Sequence, residues 1–217
     1  MSAPTSVQPR WRAPYRIETA RLDVCAIGPE HVDQAQEVVL RNKEHLLVAM
    51  PWARAEPLSV AARMELFQQM RGNFHLGVEF TYAIVERGTG AFIGGTGFHP
   101  RIGPDALEIG YWIDTALQGK GLVSEAVVAL CCVAFEIMKA RRLEIRCSTE
   151  NVRSRAVAER LGFHLDGVLR DSGYGGSGEL EDKMVWSLIA REYPAHALYA
   201  AARPAAFDAR GQRLAWP

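Results

Sequence analysis

Residues 107–147 constrain the fold more than any other stretch of this 217-residue chain. The apolar run LEIGYWI at 107–113 reads as a strand, and LEIRC at 143–147 reads as another. Between them lies a long apolar segment, 121–138, with the character of a buried helix. Two strands joined through a helix form a parallel pair with a crossover connection. The handover from the first strand to the helix is Gln118-Gly119-Lys120-Gly121-Leu122-Val123-Ser124. A helix that starts after glycines has unpaired first N–H groups and the positive end of its dipole, which together favour an anion. Gly119 and Gly121 let a phosphate approach the backbone, and Lys120 adds a mobile positive charge. The segment predicts a phosphate-bearing ligand held by the backbone.

Two familiar phosphate loops do not fit. A Walker A loop requires glycine at Asp114 and Ser or Thr at Gly121. A dinucleotide fingerprint begins at Gly95-Thr96-Gly97, but proline stands at position 100 and no helix pattern follows. Residues 94–97 read instead as a hairpin or strand end.

The surviving pattern, Q/R-x-x-G-x-G/A, resembles the acyl-CoA pyrophosphate loop of the GNAT N-acetyltransferase superfamily. Gln118 and Gly121 match, while Val123 stands where the family usually has a small residue. Downstream, Asn151-Val152-Arg153-Ser154 and Leu161-Gly162-Phe163 resemble the N-x-x-S…L-G-F block of the RimJ/RimL-type branch. Thr19-Ala20-Arg21-Leu22 is similar to that branch's opening strand, and Met50-Pro51-Trp52 to its substrate-side helix turn. Residues 182–189 resemble its last strand. The resemblance spans 17–192 and implies an α/β fold with a splayed, mixed β-sheet flanked by helices. It also implies acetyl-CoA as co-substrate and an amine acceptor, with protein N-termini as chief precedent and small amines also used.

Composition is that of one large domain or two small ones. Apolar residues make up 48% of the chain, and no run approaches a membrane span. Lys plus Arg and Asp plus Glu each total 25, which weighs against nucleic acid held by bulk electrostatics and leaves only a local patch. The four cysteines, none in C-x-x-C spacing, read as buried thiols in a reducing cytoplasm. The six histidines are dispersed, with no metal-ligand spacing. Residues 1–16 hold three Arg, three Pro and no acid, and read as a disordered leader. The domain proper is expected over 17–192. Residues 193–217 form an Ala-rich extension with room for a helix, and 171–179, glycine-rich, read as a mobile loop between the last strands. Monomer and homodimer both fit.

The chemistry narrows the candidates. At pH 7 a lysine amine costs about 4.6 kcal/mol to deprotonate, and an α-amine about 1.0–1.4 kcal/mol. An N-terminal acceptor therefore needs only a modest base. Glu108 shares a strand face with Gly110 and Trp112 and is a candidate base; the alternative is an ion pair with a neighbouring arginine such as Arg21 or Arg146. His99 and Glu44 are weaker candidates for base or substrate contact, and Trp52 and Trp112 for the acceptor side. In the wider superfamily a tyrosine acid stands four residues beyond Ser154, but here that position is Ala158. The resemblance instead places Ser154 near the leaving sulfur and Asn151 on the pantetheine. It also implies carbonyl polarisation by a backbone N–H near Ile113 and Asp114. Ile113, Gln118, Gly119, Lys120, Gly121, Leu122, Val123, Ser124, Asn151 and Ser154 form the expected cofactor set. The reading is an acetyl-CoA-dependent N-acetyltransferase acting by direct attack on a protein N-terminus. A small-molecule amine acceptor and a non-catalytic acyl-CoA-binding protein are the alternatives.

Overall fold

A computed structural model describes residues 11–217. The described residues open with β1 (Arg16–Glu18) and β2 (Leu22–Ala26), then α1 (Val32–Arg41), α2 (Lys43–Ala49) and α3 (Val60–Leu76). Next come β3 (Phe80–Glu86), β4 (Ala91–His99), β5 (Ala106–Ile113), α4 (Leu122–Cys132), β6 (Arg142–Ser148) and α5 (Val152–Arg160). The last elements are β7 (His164–Tyr174), β8 (Leu180–Ile189) and β9 (Ala205–Phe207). The nine strands of the described residues form one sheet in the order β7-β8-β6-β5-β4-β3-β2-β1-β9.

Alternation along the central strands assigns the two faces. Tyr82, Ile84 and Ile93 point into the core that encloses α4, whereas Ala83 and Phe92 pack with α1 and with Phe67 of α3. Helix α4 is apolar nearly all round because it is buried nearly all round, with Ala126, Val127 and Leu130 fully enclosed. The expected unbroken helix over 121–138 changes character at Val133. A π-helical turn, Val133–Ile137, follows, closed by Met138 N–H to the Val133 carbonyl at 2.9 Å. Ser59 caps α3 as its sequence predicts, accepting from the Ala62 N–H at 3.1 Å.

The parallel pair forms as expected, but it is short. β5 and β6 pair only through Ala106 with Arg142, Leu107 with Leu143 and Glu108 with Glu144. Beyond that point β5 stays with β4 as far as Ile113, and β6 stays with β8 as far as Ser148. The sheet therefore splits between its two central strands.

Three expectations about the ends and loops need correction. Residues 1–10 of the expected leader lie outside the described residues, but 11–16 are packed. Trp11 is buried, and the Pro14 carbonyl accepts from the Tyr82 hydroxyl at 2.8 Å. The C-terminal extension carries no α-helix: prolines at 194 and 204 interrupt it, and β9 pairs with β1 as the sheet's last strand. Half of the expected 171–179 loop is strand, with β7 running to Tyr174 and only a short turn before β8. The tip of that turn rests on α2, where a Cβ on Gly176 would stand 1.6 Å from the Leu47 carbonyl oxygen. Among the described residues, no helix is long and apolar enough to cross a membrane.

Candidate active site

The split between β5 and β6 opens into a cavity of about 790 Å3. Its floor is the loop from Gln118 to Gly121 and the first turn of α4, and its far wall is the start of α5. Gly119 and Gly121 both adopt φ near 75°, in the left-handed region that favours glycine. Gly121 is the N-cap of α4 and supplies no side-chain cap, so the first N–H groups of the helix have no side-chain partner. Lys120, Arg153 and Arg160 add positive charge to the same cavity.

Distant residues hold the loop. Glu125, in the first turn of α4, accepts from Thr19 Oγ1 at 2.6 Å and from the Arg21 backbone N–H at 2.9 Å. Arg21 Nε reaches its other oxygen at 2.6 Å, and Arg21 Nη1 donates to the Lys120 carbonyl at 2.9 Å. This is the physical role of the Thr19-x-Arg21 pair. Gln118 is held too, its amide donating to His45 Nε2 at 2.8 Å. Burial, and then the charge of Arg153, push His45 below its ordinary value, so the neutral imidazole can accept.

The end of β5 is pinned to α1. Asp114 accepts from Arg41 Nε at 3.0 Å, Asn42 Nδ2 at 3.1 Å and the Ala116 N–H at 3.2 Å. The Asp114 N–H itself donates to the Ile93 carbonyl at 2.8 Å, so of the two amides expected to polarise a carbonyl it is not available.

At the apex of the split, the Tyr111 and Ser154 hydroxyls are 2.9 Å apart. Burial holds the Tyr111 phenol protonated, well above its ordinary value, with the bond to Ser154 opposing. Asn151 caps α5, its Oδ1 accepting from the Ser154 N–H at 3.0 Å, so the Ser154 hydroxyl is not needed as the cap. Burial also pushes the Cys147 thiol up, which leaves it a poor nucleophile.

A second cavity, of about 560 Å3, adjoins the first, and Met50, Tyr111 and Trp112 line both. Trp52 and Phe92 lie against Trp112 with ring centroids 5.9 Å away in each case. His99 lines this cavity with its Nδ1 2.6 Å from Glu79 Oε1. That bond holds the Glu79 carboxyl below its usual range. Gly110 makes room for the imidazole, since a Cβ there would stand 2.9 Å from His99 Nε2.

The sequence-predicted residues thus divide. Ile113, Gln118, Gly119, Lys120, Gly121, Leu122, Val123, Ser124, Asn151 and Ser154 line the larger cavity, and Trp52, His99 and Trp112 the second. Val123 also packs against the core. Glu44 is exposed on α2 and lines neither cavity. Glu108 also lines neither. It is 7% exposed, and both its oxygens are taken by Arg101, Nε at 2.9 Å and Nη2 at 2.6 Å. Its arginine partner is Arg101, not Arg21 or Arg146, which serve Glu125 and Glu144. Its parallel neighbour Glu144 is neutralised separately by Arg142 and Arg146. The geometry is that of an ion pair, not of a carboxylate facing substrate. Sequence reasoning missed Tyr111, Glu79, Glu56 and Arg63; only Tyr111, the one polar side chain on a strand face shared with Leu107, Ile109 and Ile113, carried any signal. Among the described residues no cluster of His, Cys, Asp and Glu is placed to hold a metal.

Comparison with known proteins agrees with this geometry. Residues 21–164 match the Acetyltransferase (GNAT) domain family. The chain is 30% identical over 158 residues to the ribosomal-protein-serine acetyltransferase of Escherichia coli K12, covering 70% of this chain and 84% of that protein. It superposes with a TM-score of 0.72 on RimL, a ribosomal L7/L12 α-N-protein acetyltransferase solved with coenzyme A, at 28% identity over 80% of this chain and 97% of that one. The fold is also similar to that of Mycobacterium smegmatis RimJ solved with CoA-disulfide, with TM-score 0.72, 20% identity, and 88% and 92% of the two chains covered.

Proposed function

The chain belongs to the GNAT family of acetyl-CoA-dependent N-acetyltransferases, and on that premise we propose that its acceptor is the α-amine of a protein or peptide N-terminus. The observation that carries the reading is the meeting of two cavities at Tyr111 and Trp112, one ending on an uncapped helix start and the other on a paired histidine. The diphosphate of acetyl-CoA fits the backbone N–H groups and cations at Gly119–Ser124, and the pantetheine arm fits the split between β5 and β6. Each strand's edge is free there of its former neighbour.

The acceptor amine enters from the second cavity. His99, whose Nδ1–H is engaged by Glu79, offers Nε2 as the proton acceptor. An α-amine titrates near 7.7–8.0, so a neutral imidazole suffices, whereas a lysine would demand a stronger base. The nitrogen lone pair attacks the thioester carbon, a C–N bond forms, and the C–S bond breaks. The amine proton leaves to His99 or solvent. The thiolate is stabilised by the Ser154 hydroxyl, which Tyr111 orients, and then takes a proton.

The test combines calorimetry with turnover. Acetyl-CoA binding is measured for the parent and for Gly121→Val, which forces a β-branched residue to φ near 75°. Thiol release is then followed with short peptides. Binding that Gly121→Val abolishes, and turnover with free but not acetyl-blocked peptides, support the reading. Binding without turnover on any peptide refutes the N-terminal acceptor.

A further inference from the structure

We propose that the acceptor amine is attached beside an aromatic or large aliphatic group, which the second cavity receives; this rests on the transferase reading above and narrows its substrate. The cavity's 560 Å3 falls in the size range of small-molecule sites. Its walls include Phe67, Phe92, Trp112, Leu66 and Met70. Trp52, 42% exposed, stands at its edge against Trp112.

Charge on the wall decides between acceptor classes. Besides the protonated Tyr111 phenol, its ionisable lining groups are Glu56, Arg63, Glu79 and His99. Arg63 and Glu56 neutralise each other, with Nη2 meeting Oε2 at 2.7 Å, while Glu79 accepts from the Nδ1–H of the neutral His99 at 2.6 Å and so keeps its negative charge. The Glu56 and Arg63 side chains are only 2% and 3% exposed, so that carboxylate cannot turn to a new cation without stranding a buried arginine. A polyamine or aminocyclitol would bring several ammonium groups into apolar surroundings, where Glu79, already holding the base, is the one lining carboxylate not paired with an arginine. A small polar first residue, such as serine, would leave the apolar wall wet. An aromatic or branched side chain displaces that water, and its amine then lies at the boundary with the acetyl-CoA cavity, where Met50, Tyr111 and Trp112 serve both spaces.

The experiment is an acceptor panel on the full chain with acetyl-CoA, read as thiol release. The panel contains peptides identical except for Ser, Ala, Leu or Phe at the first position, then free phenylalanine, phenethylamine and spermidine. The proposal expects kcat/KM for Leu and Phe peptides at least about tenfold above Ser, because each methylene in an apolar pocket is worth roughly 10- to 200-fold. Faster turnover of free phenylalanine or phenethylamine than of the Phe peptide also supports it and identifies a small-molecule source. Equal or better turnover of the Ser peptide or spermidine overturns it while leaving the enzyme an N-acetyltransferase. No turnover of any amine by a chain that binds acetyl-CoA overturns both readings. Ala62→Phe, on the cavity face of α3, places a ring in the space. It should cost the Phe peptide at least about tenfold with acetyl-CoA affinity unchanged; an unaltered Phe-over-Ser preference in a folded variant counts against the proposal.

Discussion

Replacing Glu108 by glutamine separates an ion pair from a catalytic base. The carboxylate is 7% exposed and bound through both oxygens by Arg101, whose own side chain is 61% exposed. Hydrogen bonds to charged groups contribute about 1.5–3 kcal/mol, but solvent around the arginine screens this pair. The substituted amide keeps one acceptor for Arg101, so the expected loss is about 1–2 kcal/mol. For a domain of this size that is a fall in melting temperature of roughly 2–8 °C. Removal of a general base, by contrast, lowers the rate by about 10²–10⁴-fold. The expected result is therefore a modest thermal shift with kcat/KM within about threefold of the parent, measured by calorimetry and thiol release on the same sample. Arg101→Met should be the more damaging single change, because it strands the buried carboxylate, and the double variant should recover part of that loss. A hundredfold fall in kcat for Glu108→Gln at an unchanged melting temperature would refute this reasoning and return Glu108 to the chemistry.

Other outcomes follow from the same geometry. His99→Gln should lower kcat by about 10²-fold or more without altering acetyl-CoA affinity in calorimetry. Val123→Gly should lower stability by about 1 kcal/mol in a denaturant titration, since Val123 packs on the core within α4, and should leave acetyl-CoA affinity within a few fold. Arg63→Met should cost about 3–5 kcal/mol, a fall in melting temperature of roughly 6–20 °C, because Glu56 is left buried without its partner; a milder shift than Glu56→Gln would contradict it. Acid should destabilise the fold in a definite window. His99 holds Glu79 below its ordinary 4.5. In Asp114, burial pushes up but the bonds from Arg41, Asn42 and Ala116 outweigh it, leaving the group below 3.8. The unfolded chain thus takes up these protons at higher pH than the folded one. Their stabilisation is full above about 4.5 and is lost as the pH falls through the lowered values, so melting temperature should drop between about pH 5 and 3, and less so for Asp114→Asn.

The strand, the glycine loop and helix α4 were legible because each depends on consecutive residues. An apolar run has a period, Gly119 and Gly121 free the backbone for positive φ, and an apolar helix must be buried wherever it lies. The phosphate loop at 118–124 was expected for the same reason, since a helix start creates its own anion site, whereas Asn151 and Ser154 were expected only from the family resemblance; all of them line one cavity. The cap on α3 at Ser59 belongs to this class. The β9 strand does not: three residues rich in alanine carry little pattern, and their pairing comes from the open edge of β1.

Partnership between ionisable groups was not legible. Glu108 looked like a lone acid on a strand, and only the course of the chain after His99 brings Arg101 to it. Arg21 was visible as part of a motif, yet its target Glu125 lies 104 residues away. His99 was a candidate without its Glu79, and the Glu56–Arg63 pair gave no sign at all. Local sequence determined which elements form and where an anion can sit, because backbone geometry and hydrophobic period are properties of neighbours in the chain. The tertiary structure decided which side chains are neutralised and which face a cavity, because Coulomb and hydrogen-bond energies depend on separations of a few ångströms that only the sheet order sets.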